Sequence, residues 1–569
     1  MFIKIKNEKG VALAISLLVV VVLLILGSAF IIRSTSEKTM SDRERMLTQS
    51  FYVSDGGSHA GLSQLDTIIN ANMLATVNAT NPQVLGNDAL SYVNASDSLG
   101  FLIKYAKNGG TALFTLDGTG TKATYAGTAT SLGSGSYQFN IIVTAKGNPV
   151  TVVTDKWDFP YYYNIQTTGT VNGVVRKVSL NGDFTVRVQK DNFAKYALFT
   201  DHQTMPSGST VWFTNKTNFA GPLFTNDQFN FALNPSGTFT GAVSQQNTKA
   251  RFYNQGSPVQ IDANTNPPYD VPMFDAGYTR GDALIVLSSS VQQQDLQNEA
   301  KGTDTSTGNG IYVPNDGTSL TGGIYVKGNA IVNLGVDGSD NAVYTITESG
   351  TTKTITVDIP NNQTTVAISS GGTVTYSGQP KGVDGLGTII YVNGAINSLG
   401  GTVQRNTAMT VSSQNDIVIK SHLKYSDYTP GVGTPGVAGY VPPNADGTTN
   451  LLGIVSWGGN VRIDDNAPTN IEIHGPVMAR NGILTADNYA TRSPSGTATV
   501  LGGVITQFYG AFGTFNGSTG QQVSGYGKNF VYDSRMAAGT APPYFPTMKT
   551  FIAFTNDITD KIAWQEGGF

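Results

Sequence analysis

Residues 11–32 form a near-continuous apolar run of 22 residues, interrupted only by Ser16, Gly27 and Ser28. At about 1.5 Å per helical residue the run predicts a helix about 33 Å long, enough to cross a hydrocarbon core about 30 Å thick. Beyond Arg33 the pattern changes. Met40, Leu47, Phe51, Leu62 and Leu65 recur among charged residues, with pairs such as Leu47–Phe51 at helical separation and no proline before residue 66. One helix is expected from residue 11 to about residue 54, embedded in lipid over 11–32 and amphipathic over 33–65. Gly56-Gly57 is expected to bend it before a last turn or two.

The remainder of the chain is patterned for strands. Residues 66–110 are mixed in character, but "YQFNIIVTA", "YYYNIQTTGTV" and "VRKVSLNGDFTVRV" alternate, and Asn172-Gly173 and Asn181-Gly182 mark tight turns between them. An antiparallel sheet forming a β-rich headpiece over 66–190 follows. Consecutive Tyr161, Tyr162 and Tyr163 must in part face outward, either covering the sheet or stacking on a glycan or a neighbouring subunit.

After Asp191 short apolar strands punctuated by Gly or Asn recur, as in "GGIYVKGNAIVNLG", "TIIYVNGAINSLGG" and "VLGGVITQFYGAFGTF". An irregular beat of about 20 residues predicts a right-handed parallel β-helix or related solenoid over 191–569, although a large β-sandwich would share the texture. Residues 336–369 form an expected inserted hairpin and 429–450 an exposed Gly/Pro-rich loop. The proline-rich tail over 532–546 is expected to cap the last rungs.

Composition narrows the function. Charged residues are 13% of the chain, net charge is -4, and 25 Tyr with 26 Phe supply material for a packed core. No basic excess supports a nucleic-acid partner. The absence of cysteine excludes disulfides, thiolate metal sites and cysteine nucleophiles. The four histidines, His59, His202, His422 and His474, show no zinc-ligand spacing, and His474 is expected as a packed or solvent-facing ring. Asp464-Asp465 has the character of a corner rather than a catalytic pair. "VDGSDN" (336–341) lacks the length and terminal Glu of an EF-hand, so a plain turn is expected and no metal. Nothing predicts a catalytic constellation or a cofactor, and the reading is of a non-enzymatic protein.

Lys4, Lys6 and Lys9 precede the apolar run and orient the N-terminus to the cytoplasm, with the bulk of the chain outside. Gly27-Ser28-Ala29 would suit an ordinary signal peptidase, although the apolar run exceeds the 7–15 residues of a usual signal core. A short basic leader ending in glycine, then "VALAISLLVVVVLLILGSAFIIRS" and "SFYVSDGGSHAGL", resembles the class III signal region of type IV pilins, and PilX-type minor pilins in particular. "GPLFTNDQFNF" and "IYVNGAINSLGG" resemble the β-rich domain of unknown function attached to some PilX-like bacterial proteins, a likeness covering about two thirds of the chain.

The resemblance implies a leader over 1–10, cleavage by prepilin peptidase between Gly10 and Val11, and helix assembly through Leu13, Ile15, Leu23 and Ile25. It implies a minor or accessory pilus subunit in the bacterial inner membrane, with lipid and other pilins or assembly-platform proteins as partners; surface glycans enter as partners through the tyrosines at 161–163. Ile15 stands where major pilins carry Glu, and Ser54-Asp55-Gly56-Gly57 only loosely matches the pilin Ala-Glu-Ala-Gly phrase. The missing carboxylate favours a minor, tip or anchored role.

Overall fold

The computed structural model describes residues 8–78, 82–153, 156–214, 217–232, 237–254, 257–262, 271–288, 290–435, 437–516, 521–537, 539–554 and 563–566. The basic leader expected over 1–10 lies outside them up to residue 7. A long N-terminal helix is followed by a mainly β body, and the chain divides into two compact units. One comprises Met1–Val150, Trp157–Val188 and Ile552–Phe569; the other comprises Thr151–Lys156 and Gln189–Phe551.

In the first unit, helix α1 (Glu8–Asp66) runs without a break through Gly56-Gly57 and extends beyond the end expected near residue 54. It passes into a π-helical segment, Thr67–Met73, and a short helix, Leu74–Asn78. Helices α2 (Pro82–Asn94) and α3 (Ser98–Tyr105) follow, so the segment of unclear pattern before residue 110 is largely helical. Asp97 caps α3 by accepting a bond from Gly100 N.

The sheet contains β1 (Ala123–Ala126), β2 (Gly135–Ala145), β3 (Lys156–Val171) and β4 (Val174–Asn192), in that order. Gly57 and Gly61 of α1 lie at a close contact with this sheet. A Cβ on Gly57 would lie 2.6 Å from Thr167 Cγ2, and one on Gly61 2.6 Å from Ile165 Cγ2. From the sheet side, a Cβ on Gly169 would lie 2.5 Å from Ser54 N and 2.6 Å from Ser50 O. Ser54 Oγ donates to Thr167 O at 3.0 Å, securing the same seam. Small residues on both elements bring helix and sheet together over a core that includes Leu65, Ile69, Phe101, Trp157 and Phe159.

Strand β3 alternates as expected: Tyr161 and Tyr163 are buried, while Tyr162 is 49% exposed. The turn at Asn172-Gly173 forms with both residues at positive φ. The turn expected at Asn181-Gly182 does not form, because β4 continues through it to Asn192. There Gly182 makes room for the Tyr163 ring, and Asn181 Oδ1 accepts a bond from Asn164 Nδ2 on the adjacent strand. Residues Ala563–Glu566 pair antiparallel with β4, Ala563 opposite Asn181, so the chain comes back to the first unit.

The second unit is built mostly from parallel ladders. Strands β5 (Leu198–His202), β6 (Leu223–Thr225), β7 (Val243–Gln245) and β8 (Tyr278–Arg280) stack in register from Leu198 to Leu223, Val243 and Tyr278. Phenylalanines 213, 219, 229, 231, 239 and 252 fill the interior of this portion. Helix α4 (Ser290–Lys301) then leads to β9 (Gly310–Tyr312) and β10 (Ile324–Lys327) at the opposite end of the same sheet. Its Leu296 and Ala300 are buried with Ile389 and Tyr391, and Gln293 and Gln297 donate to the Tyr391 and Tyr325 hydroxyls.

A meander follows: β11 (Ala330–Val336), β12 (Ala342–Glu348), β13 (Thr351–Asp358), β14 (Gln363–Ile368) and β15 (Thr373–Ser377) pair antiparallel in sequence. The insertion expected as one hairpin over 336–369 is thus part of a five-stranded meander. The chain next alternates between two sheets through β16 (Thr388–Asn393), β17 (Ile396–Val403), β18 (Ala408–Ser413), β19 (Ile417–Tyr425) and β20 (Leu451–Ser456). Strands β21 (Glu472–His474), β22 (Val477–Ala479), β23 (Thr497–Leu501), β24 (Val504–Phe508) and β25 (Gly527–Val531) continue the alternation.

Even-numbered strands from β16 to β24 make one ladder with β10, and β24 meets β5 in parallel register, Leu198 opposite Val504 and Thr200 opposite Thr506. The first and last portions of the unit therefore close on one another. Strands β11, β17, β19, β21, β23 and β25 belong to the second sheet, which buries Val332, Leu399, Ile419, Ile473 and Val500.

The proline-rich tail is not an end cap. Phe545 and Pro542 lie against Gly453, Pro543 against Gly387, and Thr410 Oγ1 donates to Pro543 O. Gly387, Thr410 and Gly453 lie at or beside neighbouring strands β16, β18 and β20, where small side chains leave room for the tail across the middle of the sheet.

Gly169→Ala is expected to lower stability by about 1–3 kcal/mol, because the new methyl meets backbone atoms that cannot rotate away. Gly27→Ala, which meets nothing within 4 Å, should leave the melting transition of the detergent-solubilised chain unchanged or slightly raised.

Candidate functional site: an unpacked apolar helix and an acid–base cluster

The N-terminal part of α1 has no packing partner among the described residues. Val11 is 59% exposed, Ile15 58% and Leu23 61%, and none of its most apolar 18-residue window is buried. Leu13 and Ile25 are equally bare, and Gly10 lies with Val11 in the first turns. At about 100° per residue, Leu13, Ile15, Leu23 and Ile25 spread around the helix rather than forming one stripe, the pattern of a helix bathed in apolar surroundings. Ser16, one of two serines within the run, returns its hydroxyl to Leu13 O at 2.9 Å. The charges beyond the run form exposed pairs, Arg33–Glu37 at 3.0 Å and Arg45–Asp42 at 3.3 Å, which contribute little to stability.

A cluster of titratable side chains forms on the outer face of the second sheet. Polar side chains of β19, "IVIKSHLKY", alternate with buried Leu423 and Tyr425, which places His422 and Lys424 together on that face. The register sets Leu423 opposite Ile473, so Glu472 of β21 comes between them. Glu472 Oε1 lies 2.7 Å from Lys424 Nζ, while its Oε2 accepts from Tyr428 at 3.1 Å and meets His474 Nε2 at 3.3 Å. His474 is fully buried, and its Nδ1 accepts the Tyr425 N–H at 3.1 Å. That bond places the His474 proton on Nε2, facing Glu472. His422 Nδ1 accepts the Glu472 N–H at 3.1 Å.

Hydrogen bonding from His474, and then Lys424, holds Glu472 down to about 2. Burial lowers both His474 and His422, so the cluster stores an ionised carboxylate beside neutral imidazoles. A carboxylate so strongly ionised is a poor proton donor. Its visible role is to hold the Gly/Pro-rich segment through Tyr428, which is also ring-packed on His474 with centroids 4.4 Å apart. Further along, Asn529 donates to Tyr440 Oη at 2.6 Å. Between these anchors Val432 and Val437 remain exposed, as expected of that segment, and the Thr429 and Val432 bridges to Asn444 and Val441 make it a small antiparallel arm.

The other candidates separate. Asp464 accepts from Asn466 N at 2.9 Å and lies 3.6 Å from Lys420, whereas Asp465 accepts from Asn488. In "VDGSDN", Asp337 Oδ1 is occupied by Ser339 N and Asn341 N at 2.8 and 2.9 Å, a self-capped turn. Among the described residues no group of three or more His, Asp or Glu is placed to hold a metal ion. His474 takes the packed one of its two expected placements, but the meeting of two of the four histidines depends on parallel register across fifty residues, which local spacing cannot reveal.

The cluster should weaken as pH falls. Lowered His422 and His474 leave the unfolded chain to take up protons first below about 6.5, and lowered Glu472 repeats the effect from about 4.5 towards about 2. Stability is therefore full above that window and lost through it on acidification. Melting measured from pH 7.5 to 4 should show this decline, and Glu472→Gln should lower the melting temperature at pH 7.5 while flattening the decline below about 4.5.

A family model described as a domain of unknown function, DUF4900, matches residues 158–247, from the last long strands of the first unit to the early parallel strands of the second. No curated protein and no solved structure matches the chain.

Proposed function

We propose that this chain is a non-enzymatic, pilin-like envelope protein: a minor or accessory subunit of a type IV pilus or related filament. The helix anchors it in the inner membrane, N-terminus in the cytoplasm, and the β body is displayed outside for adhesion or structure. In this reading the parallel portion coils as a right-handed β-helix.

The observation that carries the proposal is the division of α1. Its first half is apolar on all sides and bare, whereas its second half is fastened to an antiparallel sheet through Ser54, Gly57 and Gly61. Ordinary secretion would discard the bare half and needs no continuous helix joining it to the headpiece. The PilX-type resemblance supplies the processing step and the partners: prepilin peptidase, lipid, other pilins and assembly-platform proteins. The rival reading, an exported β-helix protein binding or degrading polysaccharide, has the His422–Lys424–Glu472–His474 cluster in its favour, and uses the N-terminal segment for export alone.

Mass spectrometry of the native N-terminus tests the proposal. A start at Val11, lost to Gly10→Val, is expected; a start at Phe30 would establish ordinary secretion.

Leu23→Arg puts a charge near the middle of the span at a cost of about 2.5–3.5 kcal/mol on insertion scales, and should remove the protein from the membrane fraction. Ile15→Glu, close to the interface, should leave insertion intact and raise incorporation along a filament. Immunogold labelling of sheared filaments counts the subunits, and unlabelled filaments with all protein in membranes would reject the filament role.

A further inference from the structure

The outer face of the meander carries an array that neither the anchor nor the acid–base cluster uses. Across β12 and β13, Thr345 stands opposite Thr354 and Thr347 opposite Thr352. The next row runs Val343, Thr356, Thr365 and Thr375 over four strands. Thr373 closes the row that begins at Thr345 and passes through Thr354 and Ala367. The intervening residues Ile346, Ile355, Val357 and Val366 are buried on the opposite face, so strand alternation turns these threonines outward.

The face is also free of charge over its centre. Glu348 is buried, and Lys353 reaches Ile311 O at 2.7 Å, both on the opposite side; Asp358 stands at the margin, tied to Asn361. Further along the same sheet the outward residues include Lys420, Lys424, Arg462 and Glu472. Strand propensity alone favours threonine in β-strands but does not segregate charge to one end of a sheet.

We propose that this threonine face is a docking surface for an extended, uncharged polysaccharide. Each threonine presents a methyl group beside a hydroxyl with one donor and two acceptor positions, and its branched side chain is stiff before any ligand arrives. Thr347 and Thr365 already orient their hydroxyls by pairing with Thr352 at 2.8 Å and Thr375 at 3.0 Å. Such groups pay little entropy on binding, and an uncharged ligand demands no charge to be stripped of water. Members of a row about 4.8 Å apart, with successive rows about 6.8 Å apart along the strands, match a repeating polymer better than a single small molecule, which needs a concave pocket. Sugar rings offer the complement, alternating hydroxyls and C–H faces. The inference deepens the adhesion role proposed above by naming its ligand class.

The test is retention of the full chain, in detergent, on microcrystalline cellulose and on chitin, with soluble polygalacturonate as the anionic control. Wild-type protein should be retained on at least one neutral polymer and not captured by polygalacturonate. Replacing Thr354 and Thr356 together by Val keeps the strands and removes two hydroxyls; Thr354→Lys adds a charge. Each should weaken retention about tenfold with an unchanged melting temperature, while Lys420→Gln at the charged end should not. No retention of wild type, equal retention of all variants, or adsorption to ice crystals without retention on either polymer would overturn the proposal. These outcomes leave the membrane anchor untouched, whereas failure of the anchor shows in fractionation, not in this assay.

Discussion

A strand with an open edge presents unpaired N–H and C=O groups, and this chain satisfies its edges with segments far away in sequence. Strand β5 pairs on one side with β6 and on the other with β24. Without β24 the stack from β5 to β8 would end on a bare edge at Leu198, and the series from β10 to β24 would end on another. One ladder, four residue pairs long, removes both. The first unit uses the same device, with Ala563–Glu566 lying along β4. Both units depend on a late segment reaching an early one.

The helix α1 obeys a different constraint. Where it meets the sheet, side chains have been reduced to Ser and Gly so that backbone approaches backbone. Where it does not, the side chains are as large and apolar as Leu, Ile and Val. Bare leucine and isoleucine on every side of a helix have no stabilising role in water, so one helix carries a half that the fold packs and a half that is long and apolar enough to span a membrane.

The sequence made the helix legible because its signal is local: an apolar run and then an amphipathic one. Strand alternation and the Asn172-Gly173 turn were equally plain. Asn181-Gly182 misled because the same dipeptide that turns a hairpin also clears space beside Tyr163, and only the neighbouring strand distinguishes the two. At Gly56-Gly57 the helix continues to Asp66, and the small size of Gly57 answers Thr167 on the facing strand. The tail's path depended on Gly387, Thr410 and Gly453 becoming neighbours. His422 and Glu472 had no local signal at all, since their contact is created by parallel register. The threonine face went unread within the hairpin expected over 336–369, because its confinement to one uncharged surface required the pairing of four strands.

The closure of β5 on β24 also imposes an order in time. A chain that leaves the ribosome N-terminus first brings out its phenylalanine-rich early strands some three hundred residues ahead of their last partner. During that interval those strands have one unsatisfied edge and an interior of aromatic rings, the combination most prone to pairing with the wrong chain. Folding of this unit is therefore expected to be slow and governed by long-range contact rather than by local propensity. A chain shortened before Val504 would lose far more than its final strands, because the beginning of the unit is completed only by its end.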